Sequence, residues 1–356
     1  MKVRRSPSSH GMKAAPISAA IAHVKPVPDL SIVCCIEAGR LEEQTVLMVR
    51  SLRTFGGAFA NVPVIAVIGR IGPGLRERTW EELGQLGVKV IRAKGSANPA
   101  KWLNYANKVA AVVTADEIAQ TEQITWFDSD MFVLQEPSEI RLGADEDLAA
   151  QCHHLPPAVL EGDDTHVPYW SKVCGLFGVD FDRVPWTRAA ENLPRQRLNF
   201  TSGLFTWRRG SSFAPAYFDA VERLVRARIA QASGEFFTFD QIVFTPLIVA
   251  KDLKWKSLAV RDHSIVLGPF LKSDSPDVPN LGEARILHYS DSFAPAYRPL
   301  MEHRLAREVP AFAAWLQAQQ LDLGSQSLAV RLFGKALRAE RALRYRVYAR
   351  STAAAA

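Results

Sequence analysis

The sequence predicts an α/β protein whose sheet is mostly parallel and flanked by helices. Three observations predict it. Between residues 30 and 134, β-rich apolar runs alternate with segments of helical periodicity. The joints between them carry glycines and acidic first turns, the residues that stop strands and start helices. The composition, 48% apolar and 22% charged over 356 residues, is that of an ordinary globular chain. Strand–helix–strand repetition of this kind closes by right-handed crossovers into parallel pairs.

Each element can be justified in turn. LSIVCCIEAG, Leu30–Gly39, is an apolar run ending in glycine, suited to a strand covered on both faces. EEQTVLMVRSLRTFGG follows, with Val46, Val49, Leu52 and Phe55 at helical spacing, Glu42 and Glu43 at its start and Gly56–Gly57 at its end. VPVIAVIG (Val62–Gly69) is a second strand, residues 74–86 a helix and GVKVIRA (Gly87–Ala93) a third strand. A helix over residues 103–115 precedes QITWFDSDMFVL, the fourth strand.

Beyond Gly143 the pattern loosens. Residues 151–172, rich in His, Pro and Asp, read as a long loop of the kind that forms lids. NFTSGLFTWRRG (Asn199–Gly210) returns as strand, residues 215–231 as helix, FTFDQIVFTPLIVA as a further helix and ARILHYSD (Ala284–Asp291) as a late strand. Residues 326–350 are helical again. There Leu328, Leu332, Ala336, Leu343 and Val347 share one side, and most of the arginines take the other.

The formal charge of +6 is unevenly spread. Residues 1–28 carry +5 and residues 326–356 carry +6, which leaves −5 for the body between them. The expected organisation is therefore a disordered basic arm (1–28), one catalytic-sized body (29–325) and a basic amphipathic helical tail (326–356). Within the body, 29–142 form a first half with regular strand–helix alternation and 143–325 a second, looser half. An acidic body offers no extended basic groove, so no nucleic-acid partner is expected. The cysteines Cys34, Cys35, Cys152 and Cys174 form no C-x-x-C, which argues against a disulfide framework or a zinc ribbon and for a reducing compartment. No apolar run is long enough to span a membrane.

The sharpest chemical feature is Asp128-Ser129-Asp130. In an extended strand, residues i and i+2 point to the same side, so two carboxylates at a strand's end can share a divalent cation. Chance alone supplies on the order of one D-x-D in a chain of this length, and this chain has two others, Asp145/Asp147 and Asp180/Asp182. Only Asp128/Asp130 closes the fourth strand of the α/β half, where open sheets bind ligands. Position selects it. The neighbouring His153-His154, with Cys152 and His166, matches no standard zinc spacing.

The order DSD, TSGLF, FDQIVF, LHYS over residues 30–300 resembles the metal-dependent glycosyltransferases of the GT-A (Rossmann-like) fold. It is most similar to the retaining family 8, which includes glycogenin and bacterial galactosyltransferases. The resemblance implies transfer of a hexose from a nucleotide-diphosphate sugar, with UDP as the expected nucleotide, to a glycan or glycolipid. It implies Mn²⁺ or Mg²⁺ held by Asp128, Asp130 and His288. It places Asp240 on the donor sugar's hydroxyls and Gln241 near the anomeric carbon, with Ser202-Gly203 beside the sugar. Glu37 would accept from the nucleobase, Ser129 would belong to the nucleotide-sugar site, and Lys108, one turn from Asn104, would contact phosphate or sugar.

Each residue also has a structural reading. His288 fits a core histidine on a late strand, Asp240 a helix-start acid stabilised by the dipole, and Lys108 an exposed lysine. The chain also departs from the family. Ile242 stands where a third acid often follows, Thr201 where Asn is usual, and no lysine follows His288, leaving Arg298 as a substitute. These departures keep open a catalytically idle module of the same fold that binds glycan or a partner. A sugar nucleotidylyltransferase is disfavoured because EAGRLEEQ supplies no Gly-rich phosphate loop. The expected location is cytoplasmic, with the tail able to contact the membrane's inner face.

Overall fold

The computed structural model describes residues 29–94, 102–103, 105–190, 193–229, 238–272, 278–319 and 327–353. The arm expected over 1–28, and Asn104, lie outside these residues. In chain order the strands and helices begin β1 (Leu30–Cys35), α1 (Arg40–Phe55), β2 (Val64–Ile68), α2 (Glu77–Gln85), β3 (Val88–Arg92), α3 (Ala106–Ile118), β4 (Gln123–Phe127) and β5 (Met131–Val133). There follow β6 (Leu148–Cys152), α4 (Val167–Gly175), β7 (Trp186–Thr187), β8 (Gln196–Arg197), β9 (Phe200–Arg208), α5 (Phe213–Ala227), α6 (Phe239–Ile242) and α7 (Phe244–Lys251). The chain ends with β10 (Trp255–Leu258), β11 (Ser264–Ile265), β12 (Ile286–His288), α8 (Arg298–Glu308), α9 (Pro310–Ala318) and α10 (Leu328–Ala353).

Seven strands form the main sheet in the order β10-β6-β9-β4-β1-β2-β3. β3, β2, β1 and β4 run parallel, and β9 is antiparallel to both β4 and β6. β1 is paired on both edges and covered on both faces. Leu30, Ile32 and Cys34 pack with Val46, Val49 and Leu52 of α1, whereas Val33 joins Val109 and Val112 of α3 in the opposite core. This two-sided burial is why LSIVCC is apolar without interruption. The strand order runs outward from β1 to β3 and returns to β4 on β1's other side. That reversal opens a crevice outside the carboxyl ends of β1 and β4, where sheets of this type bind ligands.

QITWFDSDMFVL, expected as one strand, is two. β4 stays in the main sheet, and β5 leaves it to pair antiparallel with β12 in a second sheet ordered β11-β12-β5. The break falls at Asp128–Asp130 because Ser129 Oγ donates to the Cys35 carbonyl at 2.6 Å, tying the turn to the end of β1. Phe132 and Tyr289 then stack at 4.6 Å, with Met301 and Phe312 of α8 and α9 around them. Burying each such side chain contributes about 1.5–3 kcal/mol, enough to hold a strand of 3 residues. The loop expected over 151–172 is shorter than that. β6 extends to Cys152, and α4 begins at Val167 with a proline in its first turn, where a missing N–H costs nothing. FTFDQIVFTPLIVA is likewise two short helices, α6 and α7, separated at Val243.

α10 lies on the body, but by another face than its aliphatic pattern suggests. Tyr345 and Tyr348 pack on Trp102 at 5.3 and 6.3 Å, and Tyr348 on Phe239 at 5.8 Å. Phe333 sits against Gly72, where a Cβ would meet its ring at 3.0 Å. Leu328, Leu332, Leu343 and Val347 are 55–62% exposed. Among the described residues no helix is long and apolar enough to cross a membrane, and the four cysteines form no disulfide.

Candidate active site

Asp128, Asp130 and His288 converge at the reversal point, each offering a ligand atom within 4.8 Å of the others. His288 reaches them because β12 pairs with β5 in a register that sets His288 opposite Met131, with the Tyr289 N–H donating to the Asp130 carbonyl at 3.1 Å. His288 Nε2 lies 3.3 Å from Asp130 Oδ1 and 3.9 Å from Asp128 Oδ2. Behind it, His288 Nδ1 meets His263 Nε2 at 3.1 Å in a buried pair. If Nε2 is to bind a cation, Nδ1 must carry the proton and His263 must accept it. Two carboxylates and one imidazole suit a small divalent ion of the Mn²⁺ or Mg²⁺ kind, the imidazole favouring Mn²⁺.

Lys108 is buried, not exposed. Its Nζ stands 3.0 Å from Asp240 Oδ2 and 3.2 Å from Asp128 Oδ1 and donates to the Ser202 carbonyl and hydroxyl at 2.8 and 3.0 Å. Burial works against its charge, but the two carboxylates hold its ammonium above the ordinary lysine value. Burial raises the Asp128 carboxyl despite Lys108 and His288. Burial also opposes the Asp130 charge, but there His288 prevails and the carboxyl falls below its ordinary range. A bound cation would favour the charged form of both.

Ser202 Oγ donates to Asp240 Oδ2 at 2.7 Å, leaving buried Asp240 Oδ1 without a hydrogen-bond partner among the described residues. Gly203 permits the close approach of His288, since a Cβ there would lie 2.7 Å from the imidazole. The TSG stretch therefore holds the acids and the histidine in place from β9. Gln241 follows Asp240 on α6, and its side chain makes no hydrogen bond to this cluster among the described residues.

Above the acids opens a cavity of about 720 Å³, bounded by Glu37, Asn107, Lys108, Asp128, Asp130 and, from α10, Arg341. Glu37 is already engaged: Oε2 accepts from Arg70 and Oε1 from Asn107, both at 2.6 Å. A carboxylate keeps lone pairs for a further donor. Ser129 also borders the cavity, with its hydroxyl proton committed to the Cys35 carbonyl.

The other candidates have structural duties. Asp180 caps a short helical turn by accepting from the Asp182 N–H at 3.1 Å, and Asp182 is 88% exposed beside Arg197. Asp147 accepts from the Lys254 N–H at 2.8 Å. Arg298 pairs with Glu302 at 2.7 Å on the surface of α8 and does not replace the missing lysine. His153 sits at the end of β6, where burial, more than His154 or His288, pushes its imidazole down to about 4.

A family model described as the Rhodobacterales glycosyltransferase domain matches residues 32–252, more than half of the chain and all of the motifs up to Asp240. The chain belongs to this glycosyltransferase family. The GT-A architecture expected from the motifs agrees with the mixed sheet and its reversal point. No curated protein matches the sequence. Among solved structures, mouse xyloside xylosyltransferase 1 is similar at 12% identity and a TM-score of 0.46, over 73% of this chain and 97% of that one. The galactosyltransferase LgtC is similar at 13% and 0.45, over 77% and 95%. The glycosyltransferase GlyE of Streptococcus pneumoniae is similar at 12% and 0.45, over 83% and 65%. No residue role follows from likenesses this distant.

Several residues of this glycosyltransferase site escape sequence reasoning. Arg70 had a positional signal, following Gly69 at the carboxyl end of β2. His263 had none, because it lies 25 residues from its partner in a segment without periodicity. Arg341 had none either, being one of seven cations in the tail.

Proposed function

We propose that the protein transfers a hexosyl group, with retention, from a UDP-sugar to a glycan or glycolipid acceptor, with Mn²⁺ or Mg²⁺ held by Asp128, Asp130 and His288. The supporting observation is the convergence of those three ligands where Asp128, Asp130 and Lys108 border one cavity, with Lys108 joined to the buried Asp240 and Ser202, which do not border it. In the reaction, the bond from the anomeric carbon to the diphosphate oxygen breaks and one to an acceptor hydroxyl oxygen forms. The acceptor's proton is released. The divalent ion supplies Lewis-acid stabilisation of the departing diphosphate.

Asp240 Oδ1, buried and unpartnered, accepts from a hydroxyl of the donor sugar, and Lys108, 3.0 Å from Oδ2, holds that carboxylate in its orientation. Gln241 lies beside the anomeric carbon, Ser202 and Gly203 hold the sugar's side of the floor, and Glu37 takes the uracil N3–H on its remaining lone pairs. A cytoplasmic enzyme is envisaged. The outward leucines and valine of α10, interspersed with Arg331, Lys335, Arg346 and Arg350, rest on an anionic inner leaflet and bring a glycolipid acceptor within reach.

A screen of nucleotide sugars for Mn²⁺-dependent hydrolysis tests this reading. UDP-hexose turnover should vanish with chelator and in Asp130→Asn. One observation favours the idle-module alternative: Ile242, in place of an acid, is fully buried and so offers the site no second carboxylate. Absence of metal-dependent nucleotide binding in the wild type would decide for that alternative.

A further inference from the structure

The face of α10 that meets the body is a single stripe. Val330, Phe333, Leu337, Arg341, Tyr345 and Tyr348 recur at helical spacing, and the first four border the cavity. Five of these six are apolar or aromatic, and the sixth is an arginine. Arg341 Nε is buried with no hydrogen-bond partner among the described residues. A guanidinium N–H that is buried without a partner is costly even where the rest of the group reaches solvent. Exposed cations of the same helix avoid that cost, as Arg344 does by pairing with Glu340 at 2.9 Å. Glu37, an acid that also borders the cavity, is occupied by Arg70 and Asn107. Burial pulls the Arg341 guanidinium below its ordinary value. Tyr345 and Glu37 favour its charge and Arg70 opposes it. Arg338, one turn earlier, and Arg40 on α1 also border the cavity, and neither makes a side-chain hydrogen bond or ion pair among the described residues. Three cations therefore border one cavity without a direct ion pair among the described residues.

We propose that α10 is the roof of the donor cavity and that Arg341, assisted by Arg338, binds the phosphates of the nucleotide from the side opposite the acid cluster. This rests on the reading of the cavity as a nucleotide-sugar site. It assigns the basic tail a ligand, where charge count alone suggested only a membrane. Guanidinium donors match phosphate oxygens in pairs, so the bound nucleotide would complete the hydrogen bonding that Arg341 lacks.

Titration of the full-length protein with UDP and with uridine in the presence of Mn²⁺, followed by calorimetry, tests the assignment. Arg341→Gln should weaken UDP at least about tenfold, the scale of one hydrogen bond to a charged group, and leave uridine unchanged. Arg341→Lys should recover part of the loss, which excludes misfolding as its cause. Arg346→Gln, on the exposed side, should match the wild type. Equal UDP affinity in wild type, Arg341→Gln and the Arg338→Gln/Arg341→Gln double variant would overturn the proposal, as would an equal loss for uridine. Asp130→Asn in the same titration tests the donor reading separately. If it abolishes metal-dependent binding while the arginine variants bind normally, the donor site stands and the roof does not.

Discussion

On the floor of the cavity, Asp128 and Lys108 join the buried Ser202 and Asp240 through contacts of 2.7–3.2 Å, with Asp240 Oδ1 left without a hydrogen-bond partner among the described residues. On the roof, Arg341 sits half-buried on a helix whose outer face is open to solvent, with a donor left over. The difference is one of pre-organisation. The floor carries its own counter-charges and is set before any ligand arrives, as electrostatic stabilisation of a reacting centre requires. The roof is held by a few aromatic contacts and is completed by what it covers. Damage to the floor should therefore register as lost folding stability, and damage to the roof as lost affinity at constant stability.

The largest effect is expected at Lys108. Replacing it by Met keeps much of the volume but leaves Asp240 buried and unpaired. Removing one partner of such a pair costs about 3–5 kcal/mol, so the urea midpoint should fall steeply. Arg341→Gln, measured alongside, should change the unfolding free energy by less than about 1 kcal/mol. A Lys108→Met protein as stable as the wild type would erase the distinction between floor and roof.

Next in size are changes that spare the charges and move His288. Gly203→Ala places a Cβ 2.7 Å from the His288 ring, so the ring must leave its present position beside the acids. His263→Phe removes the acceptor behind His288 Nδ1. Loss of such an outer partner typically costs 10–100-fold in metal affinity, and both variants should show it as weaker Mn²⁺ binding by electron paramagnetic resonance. His263→Gln, which restores a carbonyl acceptor, should recover part of the loss. If Phe and Gln behave alike at that position, His263 packs but does not position.

The same contrast governs what could be read from the sequence. Strand ends are legible, since continuous apolar runs mark where β1 and β4 stop, and ligands bind beyond such ends in open α/β sheets, which places Glu37 and Asp128 near the crevice. The convergence at Lys108 is not. Helical spacing puts it on a face but cannot show that its ammonium threads between carboxylates 20 and 132 residues away in the chain. The break inside QITWFDSDMFVL was hidden because both halves are apolar, and only the Ser129–Cys35 tie and the pairing with His288's strand divide them. In α10 the aliphatic stripe pointed the wrong way. Its leucines are the obvious apolar side, yet tyrosines and a phenylalanine, whose large rings bury much area, dock the helix.

That outward stripe yields the smallest expected effect and the cleanest separation of the helix's two faces. Leu343 and Val347 are 62% and 60% exposed, so Leu343→Glu with Val347→Glu should change folding stability by no more than about 0.5 kcal/mol per site and leave UDP affinity untouched. Insertion of those side chains among acyl chains would contribute about 0.8 kcal/mol per buried CH₂, and two new carboxylates would repel an anionic surface. Flotation with phosphatidylserine-containing vesicles should therefore fall for the double variant and not for Arg341→Gln, whose guanidinium faces the cavity. If both variants float equally well, the outer face of α10 does not hold the protein to the leaflet, and the leucines and valine on it remain unexplained by membrane contact.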